Sequence, residues 1–145
     1  MTIAVLDTNV LASGFIGEDK PDSTPGELVR RWRAKEFTLV VSEHILEELA
    51  DTFNDPYFTR RLSAAEIEEA FARLRTETML QPVTVHVANV AAHLEDDLIL
   101  ATALSAKAPY LVTGDKPLLE RAAYRGTRLL SPRQFLDVLN QLTGQ

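Results

Sequence analysis

Four acidic sites carry the chemistry that this sequence could do. Asp7 directly follows the apolar run Ile3–Leu6, and Asp115 directly follows Tyr110-Leu111-Val112-Thr113-Gly114. The pair Asp96-Asp97 stands just ahead of the apolar stretch Leu98 to Ala106, and Glu47-Glu48 follows the run Phe37 to Val41. In an open parallel sheet, ligands lie beyond the carboxyl ends of the strands, so acids that end two neighbouring strands can face one crevice. Two carboxylates about 4 Å apart repel by roughly 4 kcal/mol at a surface-like dielectric. Protons or metal ions must relieve that crowding. The chain has no cysteine, and its histidines (His44, His86, His93) are scattered rather than spaced as a ligand pair. An all-oxygen donor set selects a hard cation, Mg²⁺ or Mn²⁺. Such an ion keeps several waters, activates one of them and stabilises charge on a phosphate. Phosphodiester hydrolysis is the reaction this chemistry points to.

The elements that must position these acids alternate between strand-like and helix-like runs, which predicts an α/β domain with a parallel sheet. Ile3–Leu6 reads as the first strand, followed by a short apolar stretch at Val10 to Ala12 and a loop from Gly14 to Pro25. Thr24-Pro25-Gly26-Glu27 reads as a helix start with Thr24 capping and Glu27 closing a capping box. That helix carries Leu28, Val29 and Trp32 on its apolar side and a basic stretch, Arg30 to Lys35, that could touch a phosphate backbone. Phe37 to Val41 is the second strand, with Ser42 capping the next helix. Ser63-Ala64-Ala65-Glu66 and Ser131-Pro132-Arg133-Gln134 are further helix starts, and Pro117 opens a short helix. Val83, Val85 and Val87 alternate as a strand would. Tyr110 to Thr113 and Arg128 to Leu130 complete the strands. On the helix after Ser42, an apolar arc from Ile45 through Leu49 and Phe53 to Ala50 leaves Glu47 and Glu48 flanking it equally at about 100° per residue. Periodicity does not choose between them.

The 145 residues, 46% hydrophobic and 25% charged, suit one globular domain spanning 1–145 and exclude a disordered tail, a collagen-like repeat or a disulfide scaffold. The net charge of −6 is the opposite of the basic excess that nucleic-acid binders usually carry. Acids gathered around a cation reverse the local field, so their placement matters more than their number. The first residues reach an acid by position 7, unlike a signal peptide, and no apolar stretch is long enough to span a bilayer. A cytoplasmic location without membrane partners is therefore expected.

Four fragments match a known pattern. Asp7-Thr8-Asn9-Val10 after the first strand resembles the opening of PIN-domain nucleases. So do Ser42-x-x-x-x-x-Glu48-Leu49, Asp96-Asp97-x-x-Leu100-Ala101-x-Ala103 and Leu111-Val112-Thr113-Gly114-Asp115. Their order and spacing agree with the family from about Ile3 to Ser131, and the match is strongest to the branch of toxin components of prokaryotic toxin–antitoxin systems. The resemblance implies a three-layer α/β/α fold with a central, mainly parallel sheet, and a metal-dependent endoribonuclease that hydrolyses RNA with Mg²⁺ or Mn²⁺. It further implies Asp7, Glu48, Asp97 and Asp115 as the catalytic and metal-coordinating acids, choosing Glu48 over Glu47. Thr8 and Asn9 would shape the first turn, Thr113 would hydrogen-bond near the metal or phosphate, and Asp96 would be a supporting acid. An antitoxin partner and a homodimer are implied by the same branch. The chain departs from it at His93-Leu94, where relatives often carry Asp-Pro, an acid not counted among the principal ligands.

Rival enzymes fail on named residues. A haloacid-dehalogenase-type phosphatase needs a second Asp two positions after the first, where this chain has Asn9. A receiver domain needs an acid pair at the first strand, and Leu6 precedes Asp7. The alternative from another class is a non-catalytic PIN-like module that binds RNA or protein without cutting. Metal-dependent turnover separates the two.

Overall fold

The structure is a computed structural model, and it describes residues 1–144. Six strands form one sheet: β1 (Ile3–Leu6), β2 (Thr38–Val41), β3 (Met79–Leu80), β4 (Tyr110–Val112), β5 (Ala123–Tyr124) and β6 (Thr127–Leu130). Their order is β3-β2-β1-β4-β6-β5, parallel except for the antiparallel β5–β6 pair at one edge. Among the described residues the helices are α1 (Thr8–Gly17), α2 (Thr24–Arg33), α3 (Glu43–Phe53), α4 (Pro56–Thr59), α5 (Ala64–Thr76), α6 (Leu94–Ser105), α7 (Lys116–Arg121) and α8 (Pro132–Thr143).

Consecutive residues in a strand point to opposite faces. Ala4, Val5 and Leu6 are all buried, and so are Leu39, Val40 and Val41. Both faces of the central strands are therefore covered by helices, as a parallel sheet requires. Among the described residues no helix is long and apolar enough to cross a membrane.

Several local expectations hold. Ser42 caps α3, and Ser63–Glu66 and Ser131–Gln134 form reciprocal capping boxes at α5 and α8. Others are corrected. The region from Gly14 read as a loop continues α1 as far as Gly17, and only residues 18–23 connect it to α2. Its glycines serve close approach: a Cβ on Gly14 would run into the Val29 side chain, and one on Gly26 into the Gly17 carbonyl. The cap of α2 is Ser23 rather than Thr24, its Oγ accepting from the Gly26 amide at 3.0 Å, and Glu27 turns instead to Arg30. Val83 to Val87 is not a strand. Beyond β3 the chain leaves the sheet edge, and the Thr84 and Val85 amides donate to Ser105 Oγ at 2.9 and 3.1 Å. Val85 and Val87 pack against the core while Val83 is exposed, so the alternation marks packing at two of the three positions and no strand pairing.

Candidate active site

The sheet order reverses at β1, whose neighbours are β2 on one side and β4 on the other. Leu6 pairs with Val112, and the Asp7 amide extends that ladder to the Val112 carbonyl at 2.9 Å. Asp7 and Thr113 consequently leave adjacent strand ends side by side, with Asp115 two residues on. Each acid then caps the helix that follows. Asp7 Oδ1 accepts from the Val10 amide at 2.8 Å at the head of α1, and Asp115 Oδ2 from the Leu118 amide at 2.9 Å at the head of α7. A carboxylate in these positions satisfies orphan amides and sits against the positive end of the peptide dipoles. The capping role and the crevice role are thus held by the same residues.

Thr113 ties the two strand ends together. Its hydroxyl donates to Asp7 Oδ2 at 2.7 Å and accepts from the Asp115 amide at 3.0 Å. The Gly114 amide also reaches Asp7 Oδ2, at 3.4 Å. On the other side, the Thr8 hydroxyl donates to Glu48 Oε1, and His44 Nε2 lies 3.9 Å from Glu48 Oε2. Glu48 borders the crevice while Glu47 is exposed on the helix surface. The choice follows from Ala50, which is exposed rather than buried. With Ile45, Leu46, Leu49 and Phe53 as the buried arc, Glu48 lies about 110° from its centre and Glu47 about 150°.

The crevice has two compartments. One, of about 470 Å³, is bordered by Asp7, Asp115 and Lys116; the other, of about 260 Å³, by Thr8, Glu48 and Thr52. Asn9, His93 and Asp96 border both. The volume admits a hydrated ion beside a phosphate, since a water occupies only about 30 Å³.

The structure places Asp96 and Asp97 differently. Asp96 is half-buried at the junction of the compartments. Asp97, expected as a ligand, is 3% exposed and borders neither. Its oxygens accept the amides of Asn89, Val90 and Ala91 at 3.0, 3.1 and 2.7 Å. Successive helical positions diverge by about 100°; Glu95 and Asp96 both border the smaller compartment, and the next step carries Asp97 away from it. His93, set aside in the sequence because the histidines are not spaced as a ligand pair, also borders the crevice; its place three residues ahead of Asp96 is the signal that could have found it. In the basic stretch Arg30 to Lys35 the three arginines are engaged, while Lys35 is exposed. Arg30 pairs with Glu27, Arg31 with Glu36 and Asn140, and Arg33 with Glu18 and Glu69. Trp32 is core, its indole donating to the Glu77 carbonyl at 3.1 Å.

The acids feel one another. Burial pushes the Asp7 carboxyl up, against the hydrogen bonds from Val10, Thr113 and Gly114, and the Glu48 charge adds to the rise. Asp96 is pushed up to about 6, first by burial and then by the charges of Asp7, Asp115 and Glu48, with His93 opposing. This is the signature of carboxylates that share a space and lack a countercharge. Among the described residues, no three His, Asp or Glu side chains already converge on a single coordination point. The donor set nevertheless fits a hard divalent cation. Such an ion binds through one or two carboxylates and fills the rest of its shell with water.

Comparison with known proteins adds a family and a fold. A model of the PIN domain family matches residues 4–117. No curated protein sequence matches the chain. Among solved structures, VapBC2 from Rickettsia felis, bound to a DNA fragment from its promoter, is similar with a TM-score of 0.55 at 14% identity. The similarity covers 90% of this chain and 98% of that one. VapC20 from Mycobacterium tuberculosis, a Sarcin-Ricin loop cleaving toxin, is similar with a TM-score of 0.54 at 19% identity, covering 86% of this chain and 98% of that one. At these identities the likeness is one of fold.

Proposed function

The chain belongs to the PIN domain family, and from that premise we propose that it is a divalent-metal-dependent endoribonuclease, the toxin of a toxin–antitoxin pair. The observation that carries the reading is the gathering of Asp7, Glu48, Asp96 and Asp115 around one crevice, with the Asp96 carboxyl raised to about 6 by burial and its neighbours. The fold likeness to VapC20 and VapBC2 supports the toxin assignment. An antitoxin partner, a homodimer and action on RNA in the cytoplasm belong to the same proposal.

Asp7, Asp96 and Asp115 would hold Mg²⁺ or Mn²⁺, with Glu48 completing the set directly or through water. A divalent ion supplies such a site with an acidified water and with neutralisation of charge on a phosphate. The chain's own groups prepare that chemistry. Val10, Thr113 and Gly114 fix the Asp7 carboxylate, so its remaining lone pairs keep one direction. Thr8 does the same for Glu48. Asp96, whose carboxyl is raised to about 6, would give up its remaining proton to a bound cation. Lys116, exposed at the crevice, offers an ammonium to the RNA backbone. No side chain is needed as the attacking group.

The test is cleavage of a structured and an unstructured RNA with Mg²⁺, Mn²⁺ or EDTA, using wild type, Asp7→Asn and Asp96→Asn. Cleavage by the wild type that needs metal and is lost in both variants is the expected outcome. Equal cleavage by the variants would identify a contaminating nuclease. Metal binding without cleavage of either RNA would point to a narrow target, and no metal binding at all would favour the non-catalytic module.

A further inference from the structure

The four consecutive amides of residues 89–92 join two carboxylates of different kinds. The first three close on Asp97, which is buried and outside the crevice. They converge because Asn89 takes φ 62°, a left-handed conformation that asparagine enters more readily than most residues. Successive amides bent in this way form a concave cradle for an anion. The fourth amide, of Ala92, serves the other acid and donates to Asp115 Oδ1 at 3.2 Å. Asp115 Oδ2 is meanwhile held by the Leu118 amide from α7. Main-chain donors therefore grip Asp115 from two sides, and one of the two belongs to the segment that Asp97 holds. The segment then continues into His93 and the first turn of α6, which carries Asp97 back to its own cradle.

We infer that Asp97 is a positioning residue: by holding the amides of 89–91 it sets the Ala92 N–H against Asp115 and fixes how that carboxylate faces the crevice. The inference rests on the reading of the crevice as a divalent-metal site. A carboxylate is the group this cradle requires, since both of its oxygens accept. An amide in the same place keeps one acceptor and turns an NH₂ group toward the Asn89 or Val90–Ala91 donors.

The test measures Mn²⁺ binding by calorimetry on the full chain, for wild type, Asp97→Asn, Ala92→Pro and the double variant, with a thermal melt of each. Ala92→Pro removes the amide on Asp115 and leaves Asp97 and its three donor residues in the chain. Each single variant is expected to weaken Mn²⁺ binding by about 10- to 100-fold, the usual effect of losing a group that orients a metal ligand. The double variant is expected to bind no more weakly than the worse single one, because both changes break the same link. A purely structural role would lower the melting temperature of Asp97→Asn and leave Mn²⁺ affinity within about twofold, which overturns the inference. Strictly additive losses in the double variant overturn it too, because Asp97 would then act by another route. If Asp97→Asn does not fold, Ala92→Pro decides alone, and unchanged Mn²⁺ affinity there is a refutation. A wild type that binds no Mn²⁺ removes the metal-site reading and this inference with it, whereas a binding wild type beside an unaffected pair of variants removes the inference only.

Discussion

At the residue scale, the acids of the crevice set proton against cation. The Asp96 carboxyl is raised from the ordinary 3.8 to about 6, chiefly by burial and then by its acidic neighbours. Below the ordinary value it is neutral in both the folded and unfolded chains. Between the two values the folded chain keeps a proton that the unfolded chain has released. Above about 6 the folded chain carries an ionised carboxylate among other negative charges, so this contribution to stability is lost as pH rises through that window. Asp96→Asn is therefore expected to melt higher than wild type in EDTA near pH 8 and to converge with it toward about pH 4. The same competition makes wild-type Mn²⁺ affinity climb as pH rises through about 6, a slope that Asp96→Asn should flatten in calorimetry. Asp97 behaves differently. Asp97→Ala removes the acceptor of three amides, of which only that of Val90 is buried and those of Asn89 and Ala91 are part-buried, so a loss of about 1–3 kcal/mol is expected in urea unfolding.

At the element scale, the site depends on how closely α1 and α2 approach, because Asp7 is the cap of α1. Gly26 lies against the Gly17 main chain with no room for a Cβ. Gly26→Ala is expected to cost about 1–3 kcal/mol by overpacking, read as a lower urea midpoint, and to reduce cleavage by shifting the head of α1. This contact also explains what was legible in the sequence. The capping boxes at Ser63 and Ser131 were readable because every partner lies within four residues. Helix α1 was not, since Gly14 and Gly17 look like helix breakers until α2 is packed against them. The valines at 83, 85 and 87 misled for the same reason: Val85 and Val87 pack on the core and Val83 does not, and neither fact says anything of a partner strand.

At the scale of the whole molecule, the topology decides that acids more than 100 residues apart meet. Strand β4 pairs with β1 rather than extending the sheet beyond β2, which puts Thr113 and Asp115 beside Asp7. The net charge is −6 and part of it is held in one crevice, so a cation bound there would stabilise the folded chain. A cation present at 100 times its dissociation constant should stabilise the wild type by about 2.7 kcal/mol, seen as a rise in melting temperature on adding Mn²⁺. That rise should disappear in Asp7→Asn and Asp96→Asn. A rise of equal size in those variants would place the ion elsewhere.

The sequence by itself determined the α/β class, the apolar strands that bury on both faces, and the acids at the ends of β1 and β4. These follow from residue type and local spacing, which act over a few positions of chain. The resemblance named Glu48 over Glu47 and Asp97 over Asp96; only the tertiary structure shows where each of these neighbours faces. Glu48 faces the crevice because Ala50 is exposed and the buried arc of α3 turns toward it. Asp96 faces the crevice because Asp97, one step of about 100° around the same helix, is taken by the amides of 89–91. Adjacent acids are equivalent in sequence, and it is the segment packed against one of them that leaves the other free.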